Sequence, residues 1–229
     1  GTAWVYEEEF GFDRAFQWSP DGKTIAFYRF DESKVSEFTM TNYRNDLYPE
    51  YVTFKYPKVG EENALVTIHL YDVEKNLTID AAIGQRTEYY IPRIKWTNDP
   101  SKLCVFRMNR HQNTLELLLV DARSGKASEM LIEKNKYYID IHDNLTFLKD
   151  GKHFIWTSEQ DGWNHIYLYN MNGKLVRQIT KGQWEVTDFY GLDEENEKVF
   201  YQAADQSPLE RQVYSVDLSG KDKKTLAGT

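Results

Sequence analysis

Short runs of alternating or clustered apolar residues fill this chain, and almost none of it carries the period of a helix. The clearest set is "LTFL" (145–148), "HFIWTSE" (153–159), "NHIYLYN" (164–170) and "KLVRQIT" (174–180). Between these runs lie "KDG", "EQDGW" and "MNG". Asp-Gly and Asn-Gly supply the positive φ that tight hairpins need, so the segment predicts four antiparallel strands in one sheet.

The same pattern recurs. "SPDGKTIAFYRF", "NDPSKLCVFRM", "LKDGKHFIWTS" and "DEENEKVFYQA" each place a turn and a lysine (Lys23, Lys102, Lys152, Lys198) ahead of an apolar strand. A later strand in each unit, "VTIHLYD", "LELLLVD", "HIYLYN" or "QVYSVD", ends in Asp72, Asp121, Asn170 or Asp217. Those ends are 49, 49 and 47 residues apart. A period of about 50 built from short strands is the spacing of propeller blades. The chain is therefore expected to be all-β, a β-propeller of about four four-stranded blades at about 14–84, 90–133, 143–181 and 186–226. If these blades belong to a larger ring, they leave apolar faces and strand edges that call for partners.

One unit breaks the rule. From lysine to acid is 19, 18 and 19 residues in the last three units but 49 in the first. The excess places an insertion, about 31–56, between the second and third strands of the first blade. Its sequence alternates in "VSEFTMT" and again in "YVTFKY", which predicts a two-stranded arm. An isolated hairpin is marginal in water. The arm should therefore fold back on its blade, make a subunit contact or border a ligand cavity.

Composition narrows the function more than the fold. Hydrophobic residues are 41% of the chain and aromatics 15%, enough for a core and in keeping with strands. A net charge of −8 with no basic run argues against a nucleic-acid partner. Cys104 is the single cysteine, so no intramolecular disulfide forms. No apolar run reaches the length of a transmembrane segment. The chain opens at Gly1, which suggests trimming from a longer one, with any targeting signal lost. His69, His111, His142, His153 and His165 are scattered without metal-ligand spacing, and strand positions favour hydrogen-bonded structural roles for His69, His153 and His165. There is no G-x-S-x-G elbow and no phosphate-binding glycine loop. These residues predict no elbow-type nucleophile, no metal site and no phosphate-binding cofactor loop within the chain.

"WVYEEEF" (4–10) is the one stretch with marked chemistry. As a strand it would put Glu7 and Glu9 on one face and Glu8 on the other. As a helical turn it would set neighbours about 100° apart, so that Glu8 and Glu9 both reach one small ligand. A primary ammonium has three N–H donors and no acceptor, and its charge relieves the repulsion of two converging carboxylates. A solvated surface run is the competing reading.

"WVYEEEF", then "WSPDGKTIAFYRFDES", "YPKVGEEN", "IPRIKWTND", "NRHQNTLELLL", "TSEQDGWNHIYLY" and "ITKGQWEVTDFYG", in this order, resemble the β-propeller domain of the dipeptidyl peptidase IV family in its bacterial branch. The resemblance covers essentially the whole chain. It implies about half of an eight-bladed propeller that caps an α/β-hydrolase domain, a domain absent from this chain. The activity implied is that of a serine exopeptidase releasing N-terminal X-Pro or X-Ala dipeptides. Glu8 and Glu9 would hold the substrate's free α-ammonium, and Glu7 would support them. The resemblance further implies a homodimer formed through the arm at about 31–56, a periplasmic or envelope location, and no hydrolysis by this portion alone. Two other readings remain: a non-catalytic interaction propeller, and a carboxylate glycosidase. Contiguous glutamates serve the latter poorly, because its two acids must flank one bond about 5–9 Å apart.

Overall fold

The computed structural model describes residues 3–44, 46–84 and 89–228. Four sheets of four antiparallel strands follow one another along the chain. The first contains β1 (Phe16–Trp18), β2 (Thr24–Asp31), β5 (Leu65–Asp72) and β6 (Leu77–Asp80). Between β2 and β5 the chain makes a separate hairpin, β3 (Glu37–Asn42) and β4 (Glu50–Lys55). The second sheet is β7 (Tyr89–Trp96), β8 (Lys102–Asn109), β9 (Thr114–Asp121) and β10 (Ala127–Lys134). The third is β11 (Thr146–Phe147), β12 (His153–Ser158), β13 (His165–Asn170) and β14 (Leu175–Gln178). The fourth is β15 (Val186–Asp193), β16 (Lys198–Ala203), β17 (Gln212–Asp217) and β18 (Lys224–Ala227). The one helix among the described residues is α1 (Trp4–Phe10).

The repeated acid or amide that ends the third strand is a turn device in the first three sheets. The Asp72 carboxylate accepts the Lys75 amide at 3.0 Å. Asp121 accepts the amides of Arg123 and Ser124, and the Asn170 carboxamide oxygen accepts those of Asn172 and Lys174. Such side-chain acceptors replace the ladder bonds that the third strand gives up as it turns. A second series does the same ahead of the second strand: Asp21, Asp150 and Asp193 cap the amides of Lys23, Lys152 and Glu195.

β2 and β5 pair without interruption from Thr24↔Asp72 to Asp31↔Leu65, so the first sheet is complete beneath its insertion. Among the described residues the arm's strands β3 and β4 pair only with each other, from Glu37↔Lys55 to Asn42↔Glu50, and the Thr39 and Thr53 hydroxyls meet across them at 2.8 Å. Asn45, near its tip, lies outside the described residues.

The chain divides into two compact units. One gathers Gly1–Trp96, Pro100–His111 and Leu118–Ser128, the other Thr97–Asp99, Gln112–Leu117 and Glu129–Thr229. In the first, Ala26, Ile68, Leu70, Ile91 and Leu103 are buried. There the Gln17 carboxamide donates to the Ile94 carbonyl at 2.9 Å, while the Trp96 indole donates to the Gln17 carbonyl at 3.2 Å, tying β1 to β7. In the second, Ile155, Ile166 and Leu168 pack against Val199, Tyr201, Tyr214 and Val216 as one core between the third and fourth sheets. Each such side chain withdrawn from water contributes roughly 1.5–3 kcal/mol. Close approach also shapes this unit: Gly173, at φ 73°, has the Met130 carbonyl where a Cβ would stand, 2.0 Å away.

Candidate functional site

Seven residues of α1 are too few to hold a helix by backbone hydrogen bonds alone. Its N-cap is Ala3, whose side chain offers no cap. Side-chain packing supplies what is missing. Tyr6 and Phe10, four residues apart, lie on one face and are both buried. The Tyr6 ring meets Phe10, Phe12, Phe30 and Tyr90 edge-on, with centroids 5.3–6.1 Å away. Its hydroxyl oxygen accepts the Ile91 amide at 2.9 Å, which pins α1 to β7. Burial holds this phenol well above the ordinary tyrosine range. Gly11 ends the helix at φ 55°, a left-handed position natural to glycine, and the Phe12 amide closes the last turn on the Tyr6 carbonyl at 3.0 Å.

A second anchor joins α1 to the arm. Trp4 is 39% exposed. Its ring lies 5.6 Å from Phe54 and 5.2 Å from Tyr56, and Phe38 packs on both of these. The arm base and the first turn of α1 therefore share one aromatic cluster.

Glu7, Glu8 and Glu9 occupy the remaining circumference, and all three are exposed. Of the two conformations the sequence allows, the helix is the one adopted, so Glu8 and Glu9 are set about 100° apart around its axis. Glu7, in the first turn, benefits from the positive end of the helix dipole, whereas Glu8 and Glu9 lie nearer the other end. Three adjacent carboxylates on a short, externally anchored helix can receive a group with several N–H donors and a positive charge.

Tyr6 and Trp4 were legible in the sequence only as aromatic flanks of the acidic run. The i,i+4 spacing of Tyr6 and Phe10 was the available signal for a buried helical face.

His69, His153 and His165 satisfy hydrogen bonds. His69 lies between Asp80 at 2.7 Å and the Thr67 hydroxyl at 2.9 Å. His165 lies between the Thr180 hydroxyl and the Gly182 carbonyl, both at 3.1 Å, and His153 meets Asp150 at 2.6 Å. Among the described residues no three of His, Cys, Asp and Glu are grouped to hold a metal ion. No helix among them is long and apolar enough to cross a membrane. In the second unit a polar cavity of about 340 Å³ is lined by Glu133, His142, Ser158, Glu159 and Glu185, among others. Glu133 accepts the Trp156 indole N–H and the Ser158 hydroxyl, each at 2.6 Å. Burial raises its carboxyl above the usual range, with these two donors pulling the other way.

Residues 1–228 match the family model of the dipeptidyl peptidase IV (DPP IV) N-terminal region. The crystal structure of Porphyromonas gingivalis dipeptidyl peptidase 4 superposes with a TM-score of 0.92 at 42% identity, over 99% of this chain and 32% of that one. A putative dipeptidyl aminopeptidase IV from Bacteroides ovatus gives 0.85 at 28% identity, over 96% and 34%. A probable dipeptidyl peptidase 4 of Aspergillus flavus is 31% identical over 94% of this chain and 30% of its own length. The chain thus spans about 30% of the curated relatives it matches. Its higher identity to the Porphyromonas gingivalis protein favours the bacterial branch. With its all-β succession of four-stranded sheets, this chain belongs to the dipeptidyl peptidase IV family, within the N-terminal β-propeller region.

Proposed function

We propose that this chain is the substrate-gating, amine-recognising portion of a serine exopeptidase that releases N-terminal X-Pro and X-Ala dipeptides. Glu8 and Glu9 receive the substrate's α-ammonium, with Glu7 in support. The observation that carries this reading is that Glu8 and Glu9 stand exposed side by side on α1, whose opposite face is locked by Tyr6 and Phe10. A fixed ammonium acts as a ruler: only the second peptide bond then reaches the nucleophile. This is catalysis by positioning. The nucleophile, its histidine and its aspartate belong to an α/β-hydrolase domain, so this stretch alone is inactive. The eight-bladed ring and a periplasmic or envelope location follow from the same reading.

The arm, about 31–56, is proposed to join two copies of the protein. Tyr43, Leu47, Tyr48 and Tyr51 are each more than 70% exposed on it, apolar surface that a partner copy would cover. The same exposure favours the second reading, a non-catalytic interaction propeller.

The deciding experiment is release of p-nitroaniline from Gly-Pro-p-nitroanilide by the full-length protein and its Glu8→Ala and Glu9→Ala variants. Loss of at least ~100-fold in kcat/KM in each, about 2.7 kcal/mol, supports amine recognition. Retention within a few-fold overturns it, and an inactive wild type favours the interaction propeller.

A further inference from the structure

One cavity in the second unit carries a charge opposite to that of the chain. It measures about 460 Å³ and lies beside β14 and the turn joining β17 to β18. Its floor is apolar: Ile179, Tyr201 and Val216 are buried, and the Trp184 ring lies parallel to Tyr201 at 6.4 Å and 8°. Its rim carries Arg177, Lys181, Lys221 and Lys223, and no Asp or Glu among the described residues lines it. The chain's net charge is −8, so this lining runs against the sign of the whole.

The four cations are not equally committed. Lys223 is paired with Asp205 and lies over the rings of Trp184 and Tyr214, at 4.8 and 4.0 Å. Arg177 gives one N–H to the Ser219 carbonyl at 2.9 Å, which orients its guanidinium and leaves further donors of its planar fork. Lys181 and Lys221 have no carboxylate partner among the described residues. Like charges around a concavity repel one another and raise the local potential, and a ligand of opposite sign relieves both effects.

We propose that this cavity binds multivalent oxyanions, ligands presenting two or more phosphate or sulfate groups. Arg177 grips one group through its fork, because guanidinium geometry matches two oxygens of an oxyanion. Lys181 and Lys221 neutralise the others as point charges. The apolar floor excludes water from one side of the ligand and strengthens these contacts. Two sources share this chemistry, a polyphosphate and a sulfated saccharide.

The test is isothermal titration calorimetry on the full-length protein with inorganic tripolyphosphate and, separately, a heparin-derived tetrasaccharide. Saturable binding of either is expected at 0.1 M salt, and marked weakening at 1 M, where the screening length falls from about 10 to about 3 Å. Lys181→Glu with Lys221→Glu should lower affinity at least about tenfold, whereas Lys181→Arg with Lys221→Arg should retain it within about threefold. Lys126→Glu with Lys134→Glu makes the same change in net charge outside the cavity and should leave affinity intact. A preference for tripolyphosphate or for the tetrasaccharide identifies the source. The proposal is overturned if neither probe binds at millimolar concentration, or if the Lys126/Lys134 pair loses as much affinity as the Lys181/Lys221 pair.

Discussion

The Ile91 amide donates to the Tyr6 phenol oxygen at 2.9 Å across 85 residues of sequence, and both residues are buried. That bond ties the glutamate helix to β7 of the second sheet. Tyr6→Phe keeps the ring and its edge contacts but leaves the Ile91 N–H without its acceptor. An unsatisfied buried donor costs about 1–3 kcal/mol. The urea midpoint of the full-length protein should fall accordingly, and kcat/KM for a dipeptide nitroanilide should fall with it as α1 loses its pin. A midpoint that does not move would remove the bond from the list of anchors.

Trp4 holds the other end of the helix. Trp4→Ala deletes the contact with Phe54 and Tyr56 and frees the arm base from α1. If the carboxylates bind ammonium, the loss should fall on recognition rather than on bond breaking. KM should rise several-fold, with kcat within about twofold of wild type. A selective fall in kcat would assign Trp4 a different role.

An amine must be protonated to be held by carboxylates. The free α-amino group loses its proton at roughly pH 7.7–8.0, so kcat/KM should decline above that value. An N-acetylated peptide, which has no charge there at any pH, should not be cleaved. Cleavage of the acetylated peptide at a rate near that of the free one would eliminate the ruler.

Glu133 offers a test of the second unit. Burial lifts its native carboxyl above the unfolded value, so the folded state holds the proton to higher pH. Its contribution to stability is therefore greatest below the unfolded value of about 4.5 and declines as pH rises through the native one. Glu133→Gln removes this dependence. The difference in unfolding midpoint between wild type and variant should shift towards the variant from pH 4 to pH 7, and parallel pH curves would contradict the assignment.

The sheets were legible because their turns are chemical. Asp72, Asp121 and Asn170 mark the third strands of the first three sheets by capping the following amides, and the spacing from Lys23 to Asp72 alone exposed the insertion. Strand ends were less legible. "KLVRQIT" reads as a strand to 180, yet the ladder closes at Gln178. A bulge between Leu168 and Tyr169 shifts the register near the start of β14, and past its end the amides of Ile179 and Thr180 converge on the single carbonyl of Ile166. The glutamates of α1 were visible as a candidate from their flanks, but their conformation was open. Local signals, the Tyr6/Phe10 spacing and Gly11, permit a helix without deciding it, and the contacts that hold it come from Ile91, Phe30, Tyr90 and the arm, all farther along the chain.

The pairing of Asp31 with Leu65 means that the arm is a graft on a finished ladder. Evolution could lengthen, shorten or replace it without renegotiating a single bond of the first sheet. Trp4 limits that freedom. A lineage that discarded the arm would bare an indole one turn from its glutamates, and would have to find another wall for it before it could hold the helix in the same place.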